Sequence, residues 1–175
     1  MYQDNKITST KLNEKNFFLL VNEKGKAIYI LKEQILNIII EEAWNFFSNP
    51  LNLNQITPPN LKFKILSKLN GKMHSGQIIE YKIRLLPGVN QAWVTEIKNV
   101  KEKEYFIDEQ RFGPYKFWYH EHEFEEKNGK VKMTDTVHYE LPFGLLGRFV
   151  HLLFVKKKLE QIFNYRFQLL EEKFA

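Results

Sequence analysis

His120 and His122 stand two residues apart in Trp118-Tyr119-His120-Glu121-His122-Glu123-Phe124, and Asp135 lies just beyond an Asn128-Gly129 pair. Imidazoles and carboxylates exchange protons near neutral pH or hold metal ions, provided the chain brings them together. Apolar and polar residues alternate on both sides of Asn128-Gly129, which predicts a hairpin closed by a two-residue turn. Closing it with Lys127 opposite Lys130 sets His122 against Asp135, His120 against Val137, Trp118 against Tyr139 and Phe124 against Met133. All of these share one side of the sheet. Glu121, Glu123, Glu125, Lys132, Thr134, Thr136 and Glu140 then face water. A face mixing aromatics with two imidazoles and a carboxylate is built like a pocket wall, more than like an oily core.

A second turn at Gly113-Pro114 extends the cluster. If Asp108 and Gln110 share the inner face, closing that turn places Asp108 opposite His120 and makes two His–carboxylate pairs. A carboxylate that orients one ring nitrogen leaves the other to accept a proton, the arrangement of a general base. The competing reading is a satisfied polar network or a ligand-orienting wall, because buried polar groups need partners. This second reading is the expected one. The chain has no cysteine, no G-x-S-x-G elbow and no glycine-rich phosphate loop to supply a nucleophile or cradle a cofactor. His120-x-His122 with Glu126 or Asp135 also forms half of a facial metal triad. It nearly matches a cupin motif beginning at Gly113, with one residue too many after the glycine. The second cupin motif is missing and a long terminal helix has no place in a jelly roll, so neither metal nor cofactor is expected. His74, His138 and His151 are expected at the surface.

The chain has 175 residues, enough for one domain with a sizeable core. Its 26 basic and 21 acidic residues leave a mild charge of +5. Lysines are scattered apart from Lys156-Lys157-Lys158, near Arg148 and Arg166, and the aromatics fall on inner strand faces. Nucleic-acid binding, which needs both clustered along one face, is not expected. No apolar run approaches the roughly 20 residues that cross a bilayer, and the first residues lack a signal-peptide pattern. A cytoplasmic protein is therefore expected. Phe149–Val155 is apolar nearly all round; it is expected to be covered on both sides, with transient membrane contact as the alternative. Oligomeric state is not legible.

The positioning elements follow from period and punctuation. Ile28–Leu36 reads as a strand, Glu41–Phe47 as a short helix, and Asn49-Pro50 opens a second short helix to about Ile56. Strands are predicted over Leu61–Leu69, Gln77–Leu86, Gln91–Val100, Tyr105–Phe112, Lys116–Lys127 and Lys130–Leu141, with turn-formers between them. After Pro142-Phe143-Gly144 the apolar spacing changes to three and four, predicting one helix from about Gly147 to Lys173, about 40 Å long. Phe17–Val21 is read either as an extra edge strand or as a loosely held arm. The predicted fold class is α+β, a seven-stranded antiparallel sheet wrapped around that helix.

Trp44-x-Phe46-Phe47-Ser48-Asn49-Pro50-x-Asn52-Leu53, Ile56-Thr57-Pro58-Pro59, Gly76-x-x-Ile79-x-Tyr81 and Trp93-x-Thr95-x-Ile97 resemble the SRPBCC superfamily. That group gathers START, birch-pollen-allergen, polyketide-cyclase and coenzyme-Q-binding proteins. The likeness continues through Phe106-x-Asp108-x-Gln110, Trp118-x-His120-x-His122-x-Phe124 and Asp135-x-Val137-x-Tyr139, spanning about residues 28 to 170. The resemblance implies a helix-grip fold over residues 27–175, with residues 1–26 as an extension of unknown role. It also implies a cavity for a small hydrophobic or amphipathic ligand of lipid, isoprenoid or polyketide type. The cavity wall is expected from Tyr81, Ile83, Trp93, Thr95, Asp108 and Gln110, and from Trp118, His120, His122, Phe124, Asp135, Val137 and Tyr139. The roof is expected from Leu152, Leu159, Ile162, Phe163 and Arg166. The alternatives are a cyclase/aromatase- or hydrolase-type enzyme using His120 or His122 with Asp108 or Asp135, and a non-catalytic partner of an epimerase-like protein.

Overall fold

The structure, a computed structural model, describes residues 17–21, 28–69, 72–86 and 88–174. Among the described residues eight antiparallel strands form one sheet in the order β1-β2-β8-β7-β6-β5-β4-β3. They are β1 (Phe17–Val21), β2 (Ile28–Leu36), β3 (Lys64–Ile65), β4 (Ile78–Leu86), β5 (Val89–Lys101), β6 (Tyr105–Phe112), β7 (Phe117–Lys127) and β8 (Lys130–Glu140). The seven expected strands are all present. Phe17–Val21 takes the edge-strand option, pairing antiparallel with β2; the rest of the 1–26 extension lies outside the described residues.

The central hairpin has the register that its turn dictates. Asn128 and Gly129 both adopt positive φ, 54° and 72°, as a two-residue turn matched to strand twist requires. Lys127 pairs with Lys130, His122 with Asp135 and His120 with Val137. Across the neighbouring turn, Asp108 pairs with His120. One strand departs from expectation: Leu61–Leu69 is reduced to the two residues of β3. Pro59–Leu61 form a 3-10 turn, and Lys62 follows in the left-handed region with φ 43°, so the chain joins the sheet late. Pro50–Asn54 is likewise a 3-10 turn, shorter than the helix expected to Ile56, with Asn49 accepting from the Leu51 N–H.

α1 (Ile40–Phe47) buries Ile40, Ala43, Trp44 and Phe47, one helical face. The C-terminal helix is continuous but not uniform. α2 (Gly144–Val150) leads into a π turn (His151–Val155) and then α3 (Lys156–Lys173). α3 lies against the inner face of the sheet. Leu159 and Phe163 pack with Ile30, Val137 and Tyr139, while Leu170 and Phe174 join Leu36, Trp44, Phe47 and Phe124. Burying each such side chain contributes about 1.5–3 kcal/mol. Two polar residues of β2 tie the layers together: Gln34 Nε2 donates to the Phe167 carbonyl at 2.9 Å and Lys32 Nζ to Asn164 Oδ1 at 3.2 Å. No described helix is long and apolar enough to cross a membrane.

Two surface expectations need correction. His151 is buried, its Nε2 2.8 Å from the Tyr139 hydroxyl. Burial and Lys156 hold its imidazole below the usual histidine range, so Tyr139 O–H donates to it. Leu153 and Phe154 are 51% and 62% exposed, so the outer side of the helix start is not covered there as expected.

Candidate functional site

Alternation along β6, β7 and β8 sends Asp108, His120, His122 and Asp135 to one place beneath α3. Asp135, 1% exposed, sits behind both rings: its Oδ1 is 3.0 Å from His120 Nε2 and 2.7 Å from His122 Nδ1. Asp108 faces them on the other side, its Oδ2 3.1 Å from His122 Nε2 and 3.4 Å from His120 Nδ1. Well-directed hydrogen bonds run from His120 Nε2 to Asp135 and from His122 Nε2 to Asp108. The His122 Nδ1 contact with Asp135 is close but not aligned for a hydrogen bond. The two rings lie 3.8 Å apart, and Phe106 stacks on His122 at 4.2 Å.

Burial opposes charge on all four groups, and the ion pairs decide who keeps it. For Asp135, burial pushes upward, but the imidazoles of His122 and His120 pull its carboxyl well below the carboxylate range. Asp108 is lowered in the same way, with Arg166 adding to the two histidines. At His122 burial pulls down, yet both carboxylates raise the imidazole above the usual histidine range. At His120 burial and the neighbouring His122 charge win, and the imidazole is lowered. The four groups therefore form a closed square in which the surroundings favour a proton on His122 over one on His120 and keep both carboxyls ionised.

Beside this square, between sheet and α3, lies a cavity of about 140 Å³. Of the residues expected in its wall, Tyr81, Ile83, Trp93, Thr95, Asp108, Trp118, His120 and His122 line it; of the roof, Leu159, Ile162, Phe163 and Arg166 do. The expected wall residues Gln110, Phe124, Asp135, Val137 and Tyr139 do not. Gln110 clamps the β6–β7 turn, donating to the Tyr115 carbonyl at 2.7 Å and accepting from its N–H at 3.3 Å. Phe124 packs on Trp44 and Phe47 in the other part of the core. Val137 and Tyr139 are fully buried under the helix. The Leu152 side chain lies outside the described residues.

Leu53, Thr57, Leu61, Phe63, Leu85 and Tyr115 complete the lining without having been foreseen. Leu85 alternates with Tyr81 and Ile83 on β4, a signal open to inspection. The others come from 3-10 turns and loops, which have no period to read. A second chamber of about 60 Å³ adjoins the first and shares Leu53, Tyr81, Asp108, His122 and Arg166 with it. The polar groups thus stand at a waist between two apolar chambers.

Asp108, His120 and His122 offer ligand atoms within 4.8 Å of one another, enough to hold a divalent cation. Asp135 would then serve as the outer partner of both rings. Binding a metal there would cost the His122–Asp108 hydrogen bond and the proton it carries. Glu126, the other carboxylate considered, is exposed at the strand end.

No protein-family model matches the chain, and no curated protein does at a significant level. Solved structures do. The Zhui aromatase/cyclase from Streptomyces sp. R1128 superposes with a TM-score of 0.62 at 11% identity, covering 85% of this chain and 96% of that one. A START superfamily protein from Mycobacterium smegmatis gives 0.60 at 14% identity, covering 83% and 96%. Ara h 8.0201 gives 0.56 at 14% identity, covering 83% and 99%. Likeness at this level of identity speaks to architecture, and it agrees with the SRPBCC resemblance carried by the motifs. The chain has the helix-grip fold, an antiparallel sheet closed around its C-terminal helix, that these three proteins share.

Proposed function

We propose that this protein binds a small hydrophobic or amphipathic molecule between the sheet and α3. The observation that carries the reading is the cavity itself: about 140 Å³, walled by aromatic and aliphatic side chains, with its polar groups gathered at one point. A few convergent polar groups in an apolar pocket are the usual way of orienting a bound molecule. An engineered apolar cavity of about 150 Å³ holds benzene, so among lipid, isoprenoid and polyketide-like molecules a compact, ring-containing one fits best. Neither metal nor cofactor enters this reading.

Native mass spectrometry of freshly purified protein should show a co-purified small molecule, lost on Ile83→Trp, which fills the chamber. Saturable uptake of naphthalene-sized probes, abolished by the same substitution, is the complementary expectation. Protein that carries nothing and takes up no such probe would sink the proposal.

One observation favours a second reading, acid–base catalysis on the bound molecule. His120 lines the cavity, burial lowers its imidazole and its Nε2 is bonded to Asp135; its Nδ1, 3.4 Å from Asp108 Oδ2, is then the nitrogen left to take up a proton. Under this reading His120→Gln retains binding and loses turnover.

A further inference from the structure

Arg166 reaches from α3 to the waist between the two chambers, where it lines both. Its Nε is buried and has no hydrogen-bond partner. Its Cζ lies 5.5 Å from the Phe163 ring centre, over an aromatic face. Asp108 is near enough for Arg166 to lower its carboxyl, but its Oδ2 is committed to His122 at 3.1 Å, and Arg166 makes no hydrogen bond to it through Nε. Asp135 lies against both imidazoles, and His122 lies between the two carboxylates.

A guanidinium stays charged at every accessible pH and presents donors in a planar fork that suits a carboxylate. Arg166 is partly exposed, but burying its Nε–H without an acceptor is costly, since a desolvated donor needs a partner. In the larger chamber Asp108 is the one carboxylate of the lining, and its Oδ2 already serves His122, while Leu53, Leu61, Ile83, Trp93 and Phe163 carry no acceptor. The missing acceptor is therefore to be sought in the bound molecule. We propose that the ligand is a small amphipathic anion, an aromatic or similarly compact carboxylic acid. Its carboxylate meets Arg166 at the waist, and its apolar body lies against Trp93, Tyr115 and Trp118. The inference rests on the ligand-binding reading above and names the chemical class of that ligand.

The test uses the full chain and two probes of one shape, 2-naphthoate and its neutral counterpart 2-naphthamide. Calorimetry and the fluorescence of the wall tryptophans report binding of each. Naphthoate should bind at least about tenfold more tightly than the amide, the scale of one charge-assisted hydrogen bond. Arg166→Gln should remove that preference by weakening naphthoate at least about tenfold more than the amide, and Arg166→Lys should restore part of it. Equal binding of both probes, or a preference that survives Arg166→Gln, would overturn this inference and leave the cavity reading standing. Failure of both probes to bind the unmodified protein would overturn the cavity reading and this inference with it. Arg166 is partly exposed and makes no ion pair among the described residues, so Arg166→Gln should fold, and its circular dichroism and melting temperature confirm that the comparison is sound.

Discussion

Placing two imidazoles between a buried and a half-buried carboxylate makes their protons a shared property, because each ring feels both acids and the other ring. The raised value of His122 means that its contribution to stability is fully present below the ordinary histidine range, near pH 6.5, and is lost as pH rises through its folded value. Asp135 works at the other limb: its lowered value gives stability above about pH 3.9 that is lost as pH falls through the folded value. His120, lowered, contributes above about pH 6.5 and costs stability as pH falls. The ring resonances of His120 and His122 followed by NMR should titrate in two separated steps, one above and one below about pH 6.5. Two steps on the same side would show that the surroundings do not shift the two rings in opposite directions. Much of this was legible in the residues. His122 opposite Asp135 and His120 opposite Asp108 follow from two turns and the alternation of strands. Hidden was the cross-bracing, in which each carboxylate serves both rings, because strand register fixes backbone partners and not the reach of a side chain.

At the scale of elements, the hairpins were readable where turn chemistry is strict and unreadable where backbone conformation is set by local exceptions. Asn128-Gly129 fixed one hairpin, whereas β3 shrank because Lys62 turns left-handed after Pro58-Pro59. The turn after β6 shows how close such fits become. A Cβ on Gly113 would stand 2.3 Å from Gln110 Oε1, the atom that accepts from the Tyr115 N–H. Gly113→Ala should therefore break the clamp and cost on the order of 1–2 kcal/mol, the worth of its two hydrogen bonds. Gln110→Ala should cost about the same, and the double variant little more than either alone. Urea unfolding of the three proteins gives the cycle, and additive losses would mean that Gly113 is required for a different reason. Tyr115, which the clamp positions, lines the cavity, so the two hydrogen bonds of Gln110 serve the site from outside it.

For the whole molecule, the helix-grip architecture divides α3 between two duties, closing the core at one end and roofing the cavity at the other. Leu170 is fully buried among Leu36, Trp44 and Phe124, while Phe154 lies near the opposite end and is largely exposed. Leu170→Ala should destabilise by about 2–5 kcal/mol, and Phe154→Ser should stay within about 0.5 kcal/mol. Chemical denaturation measures both, and a comparable loss at Phe154 would show that the helix start is covered in solution. That helix start was also where sequence periodicity misled. Apolar spacing of three and four was carried across His151–Val155 as though the helix were regular, and it left His151 outside and Leu153 and Phe154 covered. The π turn, closed by the Lys156 N–H onto the His151 carbonyl, accommodates an extra residue in the spiral. Each residue turns an α-helix by about 100°, so α2 and α3 follow one path while being out of phase by about that angle. The surplus residue works as a vernier. Leu159 and Phe163 are set against the sheet by one half of the rod, and His151 is dialled onto Tyr139 by the other, without either half dictating the facing of its neighbour.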